Sequence, residues 1–162
     1  MMDTRIIPEG NMAEKAMPPA PHRSEKKAGS ISAVARSAGI ALLAAEVING
    51  ALFFIAKAIG VRFVVLAPNV PGLQAITIAS VVAATAVGVV GAAAVFWITA
   101  RFAKRPEIIF QGISFAVLLA SFVPPLSLPP ETGAAGKAVL ALMHVAVAVT
   151  AVPLLLRTLR MR

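Results

Sequence analysis

Long apolar stretches alternate with short polar ones along this 162-residue chain. The stretch from Ile40 to Ile59 contains twenty residues, nearly all of them apolar. As a helix, a segment of this length rises about 30 Å, which is the thickness of the hydrocarbon core of a bilayer. Three further stretches have the same apolar character. The pattern predicts four transmembrane helices, at about residues 37–60, 74–100, 107–124 and 136–157.

The polar stretches predict the rest of the organisation. Residues 1–32 combine Pro, Ala and charges of both signs with no apolar period, which is typical of a disordered, basic cytoplasmic tail. Prolines interrupt the segments that follow the first and third predicted helices, which indicates outer loops. The fold class predicted for residues 33–162 is therefore an all-α membrane protein, a four-transmembrane-helix bundle.

Lysine and arginine are distributed unequally between the two sides of this predicted bundle. Of the 15 Lys and Arg residues, all but three lie in or beside the N-terminal tail, in the loop between the second and third helices, or in the C-terminal tail. The exceptions are Lys57, Arg62 and Lys137. Because cytoplasmic segments carry the excess of positive charge, we expect both termini in the cytoplasm.

Composition supports a membrane location and excludes several kinds of function. Hydrophobic residues make up 59% of the chain and the mean hydropathy is +0.87, whereas about 45–50% of a soluble domain is apolar. The net charge of +8 does not indicate nucleic-acid binding, since no basic face with base-stacking or groove-reading elements is present. Because the chain has no cysteine, thiolate-ligated metals and iron–sulfur clusters are excluded.

Three polar residues inside the predicted spans form a candidate intramembrane polar site: Glu46, Asn49 and His144. Counted from the predicted outer surface, Asn49 and His144 differ in depth by about 5 Å, so they can meet. Glu46 lies one turn deeper and reaches His144 only through Asn49, a water molecule or a tilted helix. Since an ionised carboxylate in lipid is costly, we expect Glu46 to be protonated, hydrogen-bonded by other helices or facing a small wet cavity.

Two interpretations of this polar site stay open. In the functional one, the three side chains form a proton or cation relay, or the polar floor of a ligand pocket between helices. In the structural one, they form hydrogen bonds that hold the helices together, each worth about 1 kcal/mol. Separately, a stripe of small residues at every fourth position of the second helix predicts a helix-packing surface. It consists of Ser80, Ala84, Gly88 and Ala92.

The inventory of side chains does not support an enzyme. One intramembrane His and one intramembrane Glu are too few for a zinc site, which needs three or four ligands. A haem held by two histidines needs a second intramembrane His, whereas His22 lies in the tail. No phosphate-binding loop, dinucleotide fingerprint or serine-centred nucleophile elbow is visible in the sequence. We therefore expect no catalytic residues, no metal and no cofactor.

Two segments carry a resemblance to a known family. They are ALMHVAVAVTAVP, residues 141–153, and LFFIAKAIGVRFV, which follows Asn49 closely. With them the chain resembles, over about residues 38–156, an uncharacterised family of small four-helix bacterial membrane proteins. The matching positions are Asn49, Lys57, Gly60, Met143, His144 and Pro153. The resemblance implies the four-helix topology, a location in the inner (plasma) membrane of a bacterium, and that Asn49 and His144 belong to the pattern of the family. It implies no activity and does not extend to Glu46.

These observations lead to expectations in two functional classes. The first is an integral membrane protein of unknown biochemical activity that serves as a small structural or interaction (accessory) protein. Its expected partners are membrane lipids and either a second copy of the chain or an unidentified membrane protein. The alternative is a proton-coupled small-molecule transporter, or a lipid- or ligand-binding membrane protein, that uses Glu46 and His144.

Overall fold

The computed structural model describes residues 31–66 and 70–160, and the protein is mostly helical over these ranges. The predicted disordered tail lies outside the described residues, except that Ile31 and Ser32 form the start of the first helix. The helices are α1 (Ile31–Ala58), α2 (Ile78–Phe102), α3 (Pro106–Ala120), α4 (Val123–Leu126) and α5 (Gly133–Arg160), with a 3₁₀ turn at Pro130–Thr132 and strands β1 (Val64–Leu66) and β2 (Leu73–Ala75).

Four helical segments in the described ranges are long and apolar enough to cross a membrane: α1, α2, α3 together with α4, and the 3₁₀ turn together with α5. Large apolar side chains on these helices face outward; Leu43 is 71% exposed, Val47 73% and Phe115 64%. A soluble monomer rarely presents so much apolar surface to water. The structure thus has the features of a multi-pass membrane protein.

The two ends of the bundle differ in charge. α1 and α3 begin, and α2 and α5 end, at the same end, which we call the basic end; its exposed cations are Arg36, Arg101, Lys104, Arg105, Arg157 and Arg160. We call the opposite end, which carries β1 and β2, the hairpin end. The described charges are therefore divided as the sequence predicts.

Three buried clusters hold the helices together. The cluster at the basic end contains residues from all four long helices, namely Val34, Phe96, Phe110, Leu155 and Leu156. The middle cluster (Ala41, Ala45, Val89, Ala151) and the hairpin-end cluster (Phe53, Ala56, Phe63, Val81, Met143) contain no residue of α3. It follows that α1, α2 and α5 pack together along their length, whereas the buried residue of α3, Phe110, belongs to the basic-end cluster.

A small β-hairpin caps the hairpin end. β1 and β2 pair antiparallel, with Val65 opposite Gln74, and the ring of Phe63 stacks on that of Phe53 at a centroid distance of 5.3 Å. The Thr132 hydroxyl donates a hydrogen bond of 2.8 Å to the carbonyl of β1 residue Val64. The fold is thus mostly helical and not purely all-α as predicted. The sequence does not reveal this strand pair, because strands of three residues are too short to show an alternating pattern.

Local chemistry explains where several helices start and stop. α2 begins after Thr77, whose hydroxyl accepts a hydrogen bond from the backbone N–H of Ser80. α3 ends at Ala120, before Pro124 and Pro125, since a proline lacks the N–H that helix continuation needs and its ring clashes with the preceding turn. α1 begins at Ile31, six residues before the predicted residue 37. Residues 31–36 contain no proline or glycine, the two residue types that most disfavour a helix, so the helix extends ahead of the apolar stretch.

Candidate functional site

α3 is attached to the bundle near its two ends. At the basic end Phe110, the buried residue of α3, packs edge to face on Phe96 with ring centroids 5.0 Å apart. At the hairpin end, the chain that follows α3 is held by buried Pro125 and by Lys137, whose Nζ donates a hydrogen bond of 3.1 Å to the carbonyl of Leu126. Between these attachments α3 leaves a groove against α2 and α5, which we call the α3 groove.

The α3 groove has a volume of about 850 Å³. Its wall toward the basic end is apolar and includes Val95, Phe110 and Val152. One polar side chain, Ser114, lies a turn of α3 away from Phe110. The other polar side chains line the groove farther from the basic end: Asn49, Gln74, Ser80, Thr85, Ser121 and His144. Apolar lining with a few placed polar groups is the usual character of a small-molecule site.

Asn49 lies at the floor of the groove with an incomplete set of hydrogen bonds. It is 2% exposed, and its Nδ2 donates a hydrogen bond of 2.8 Å to the hydroxyl of Thr85, which joins α1 to α2. Its Oδ1 is buried and has no hydrogen-bond partner among the described residues. Turning the amide over exchanges the two atoms but still leaves one of them unpaired. Asn49 therefore has a hydrogen-bonding position to offer a bound molecule.

His144 lines the same groove from α5 and is half-buried. Over residues 31–66 and 70–160, neither of its ring nitrogens is hydrogen-bonded to a protein group. A neutral imidazole has one donor and one acceptor nitrogen. The structure thus brings Asn49 and His144 to one groove, and no hydrogen bond joins them directly.

Glu46 lies apart from these two residues. It is half-buried on α1 and is not part of the groove lining. Both carboxyl oxygens are buried, and neither has a hydrogen-bond partner within the described part of the chain. The structure consequently separates the predicted trio into a pair in the groove and a carboxyl group outside it.

Replacing Glu46 by leucine is expected to raise the free energy of unfolding. A buried carboxyl without a partner costs about 1–3 kcal/mol relative to an apolar group of similar size, so Glu46→Leu should gain about that amount. Glu46→Gln is the matched control, since its amide keeps polar atoms at the same place and should leave stability near the parent value. Thermal unfolding in detergent micelles measures both. A Glu46→Leu variant less stable than the parent protein would show that the carboxyl group of Glu46 does have a stabilising partner.

The small-residue stripe on α2 faces the groove along its whole length: Ser80, Ala84, Gly88 and Ala92 all line it. Toward the basic end the stripe also contacts α5, because a Cβ placed on Gly88 would lie 3.4 Å from Cγ1 of Val147. Toward the hairpin end Ser80 and Ala84 are exposed and form an open wall. Helix packing and groove formation thus share one stripe.

Thr85 is a groove residue that the sequence analysis did not single out. Val81, Thr85 and Val89 are all buried and follow one another at intervals of four residues. This spacing places a hydroxyl on the same helix face as two core valines. The signal was therefore present in the sequence, but its partner Asn49 could only be identified from the packing of α1 against α2.

The groove offers hydrogen bonds and no formal charge. No Lys, Arg, Asp or Glu is among the described residues that line it. In the same part of the chain, no group of three His, Cys, Asp or Glu residues could hold a metal ion. The arrangement can bind an uncharged polar group beside an apolar body, because desolvating a charge here would be costly without a counter-charge.

Comparison with known proteins identifies a family whose function is unknown. No curated protein and no solved structure matches the chain. Residues 29–161 match the family of unknown function DUF6069, and this range includes all the helices of the described residues and the whole α3 groove. The resemblance to an uncharacterised family of small four-helix membrane proteins is thereby confirmed. The chain belongs to the DUF6069 family of unknown function.

Proposed function

We propose that this protein is a non-catalytic integral membrane protein that binds an amphipathic membrane component in the α3 groove. The observation that carries the proposal is the pair Asn49 and His144, two polar side chains with unused hydrogen-bonding positions in an otherwise mostly apolar groove. The unpaired Oδ1 of Asn49 is also buried, and an unpaired buried polar atom destabilises a protein by about 1–3 kcal/mol. A bound molecule that forms a hydrogen bond with this atom offsets that cost.

The size of the groove suits a small molecule. Its volume of about 850 Å³ falls within the roughly 300–1,000 Å³ that is usual for ligand sites. Together with the unpaired Oδ1 of Asn49, this volume supports the lipid- or ligand-binding alternative of the sequence analysis over a purely structural or accessory role.

The proposed topology follows from the charges at the two ends. Cations concentrate at the basic end, and positive charge concentrates on the cytoplasmic side of membrane proteins. We therefore place both termini in the cytoplasm and the hairpin end outside, in the plasma membrane of a bacterium. In this orientation the polar part of the groove lies nearer the outer leaflet. Lipids surround the protein as its general partners.

Proton-coupled transport receives less support from the geometry. The relay hypothesis needs the carboxyl group of Glu46 to exchange protons with the ligand or with His144. Glu46 is not part of the groove lining, and its carboxyl oxygens contact no hydrogen-bonding group in the described ranges. Binding without coupled proton movement is thus the function that the arrangement supports best.

Filling the groove tests the proposal. Ala84 is exposed and lines the groove, whereas its neighbour Ala83 is exposed and does not. We expect Ala84→Phe to lower the amount of lipid or other amphiphile that copurifies with the protein by about tenfold, because the ring occupies the ligand's place. Ala83→Phe should retain the parent amount. Native mass spectrometry of protein extracted in mild detergent measures both, and equal retention by the two variants would refute binding in the groove.

A further inference from the structure

We infer that the α3 groove selects a single-chain amphiphile whose head is a hydroxyl or an un-ionised carboxyl group, held by Asn49 and His144, with its tail directed toward Phe110 at the basic end. The inference rests on the proposed function, since it specifies the ligand of the same groove. The unpaired polar atoms, the distribution of charge and the direction of the apolar wall each support a part of it.

The unpaired atoms define the head group. Asn49 presents an unpaired Oδ1, which accepts a hydrogen bond. The hydroxyl of Thr85 accepts from Asn49 and donates to no other described group. His144 contributes one donor and one acceptor nitrogen. A head that fits this set both donates and accepts hydrogen bonds, as a hydroxyl and an un-ionised carboxyl do, and as an ester or ether does not.

The absence of charge in the described lining excludes the common lipid head groups. A phosphate or an ammonium group in the groove would have no Lys, Arg, Asp or Glu beside it. Removing such an ion from water without a counter-charge is strongly unfavourable. The head is therefore neutral when it is bound.

The apolar wall defines the direction of the tail. From Thr85 to Val95 along α2, and from His144 to Val152 along α5, the groove continues toward the basic end for about 12–15 Å of helix. Phe110 closes this apolar part. The hairpin side of the groove carries three polar side chains, Gln74, Ser80 and Ser121, among apolar ones, whereas the Phe110 side carries one, Ser114. A tail consequently fits on the Phe110 side of its head.

Head-group recognition must supply most of the selectivity. A tail that moves from the bilayer into the groove exchanges one apolar environment for another, so it gains little from the hydrophobic effect. Hydrogen bonds to Asn49 and His144 are gained only in the groove, because lipid tails offer none. Removing the donor from the head should therefore weaken binding strongly even when the tail is unchanged.

The single tryptophan of the chain provides a probe of the tail. Trp97 is half-buried and packs against the basic-end cluster that contains Phe110. The test uses the full chain in lipid nanodiscs and an alcohol of about 12 carbons with bromine on its last carbon. An extended chain of this length matches the apolar part of the groove, and bromine quenches tryptophan fluorescence at short range. We expect this probe to quench Trp97 at a concentration at least fivefold lower than its methyl ether. The same alcohol brominated beside the head should quench weakly.

Variants separate recognition in the groove from general lipid contact. His144→Phe is expected to abolish the difference between alcohol and ether, and Asn49→Leu should do the same if it folds. Gln111→Leu, at an exposed position on α3 outside the groove, should preserve the difference. Quenching that persists unchanged in Ala84→Phe would identify contact with the surrounding bilayer only and overturn the inference.

The remaining outcomes distinguish the inference from the proposed function. Equal quenching by alcohol and ether, combined with loss of copurifying lipid in Ala84→Phe, would refute head-group selection and leave binding in the groove intact. Stronger quenching by the head-brominated alcohol would reverse the direction of the tail and overturn the inference. No difference between Ala84→Phe and Ala83→Phe in retained lipid would remove the proposed function itself.

Discussion

Phe110→Ala is expected to lower the free energy of unfolding by about 3–5 kcal/mol, the range found when a fully buried phenylalanine is truncated. Phe110 is 0% exposed and is the buried residue of α3. Its removal leaves a cavity in the basic-end cluster and deletes the edge-to-face contact with Phe96. Because this contact is where α3 joins the core, much of the loss should appear as local release of α3.

Hydrogen exchange of the α3 amides in detergent measures this local release, and thermal unfolding measures the total loss. Phe115→Ala is the matched control, since Phe115 lies on the same helix and is 64% exposed. We expect faster exchange throughout α3 in Phe110→Ala and near-parent exchange in Phe115→Ala. Similar exchange in the two variants would show that α3 is held to the bundle by other contacts.

Gly136→Ala is expected to destabilise the protein by about 3 kcal/mol, the upper part of the range for overpacked sites. A Cβ at Gly136 would lie 2.7 Å from the backbone oxygen of Arg62 and 2.7 Å from Cγ2 of Thr132. The backbone oxygen cannot rotate away, so α5 and the segment that leads to β1 must separate. This would also strain the hydrogen bond from Thr132 to Val64 that fastens the hairpin.

A second glycine provides the control for this prediction. Gly50 lies inside α1, and a Cβ there would have nothing within 4 Å. Gly50→Ala should therefore stabilise the helix, by about 0.5–1 kcal/mol, through the lower conformational entropy of alanine in the unfolded chain. Thermal unfolding of the two variants in the same detergent is the measurement. Equal stability of Gly136→Ala and Gly50→Ala would disprove the close approach of the two segments.

Both predictions bear on the proposed function, because the two segments border the groove. Phe110 closes its apolar part, and residue Val65 of β1 lines it near the hairpin end. Release of α3 would open the groove to the bilayer along its length. We therefore expect Phe110→Ala to retain less amphiphile than Phe115→Ala in the measurement used for Ala84→Phe. The stability of the bundle and the shape of the α3 groove thus depend on the same contacts.

Sequence patterns were sufficient to predict four long apolar helices and to single out Asn49 and His144, two of the residues that line the groove. The length of an apolar stretch is almost sufficient to predict a transmembrane helix, because every backbone N–H and C=O group in lipid must form its hydrogen bond within the segment. A polar residue inside such a span is rare enough to be noticed singly, and Asn49 and His144 were identified in this way. The family match supports the same four-helix architecture.

Tertiary structure decided what those residues are next to. Hydropathy does not encode how far a helix is rotated about its axis or which neighbouring helices it contacts. The sequence therefore did not reveal Thr85 as the hydrogen-bond partner of Asn49. It also did not show that Glu46 lies outside the groove. The attachment of α3 by Phe110 at one end, and hence the groove itself, depends on contacts between residues far apart in sequence. The short hairpin depends on such contacts as well, including the stacking of Phe63 on Phe53. The sequence by itself thus determined the number and the approximate extent of the long apolar helices, whereas their rotation and spacing, which create the groove, were decided by side-chain packing.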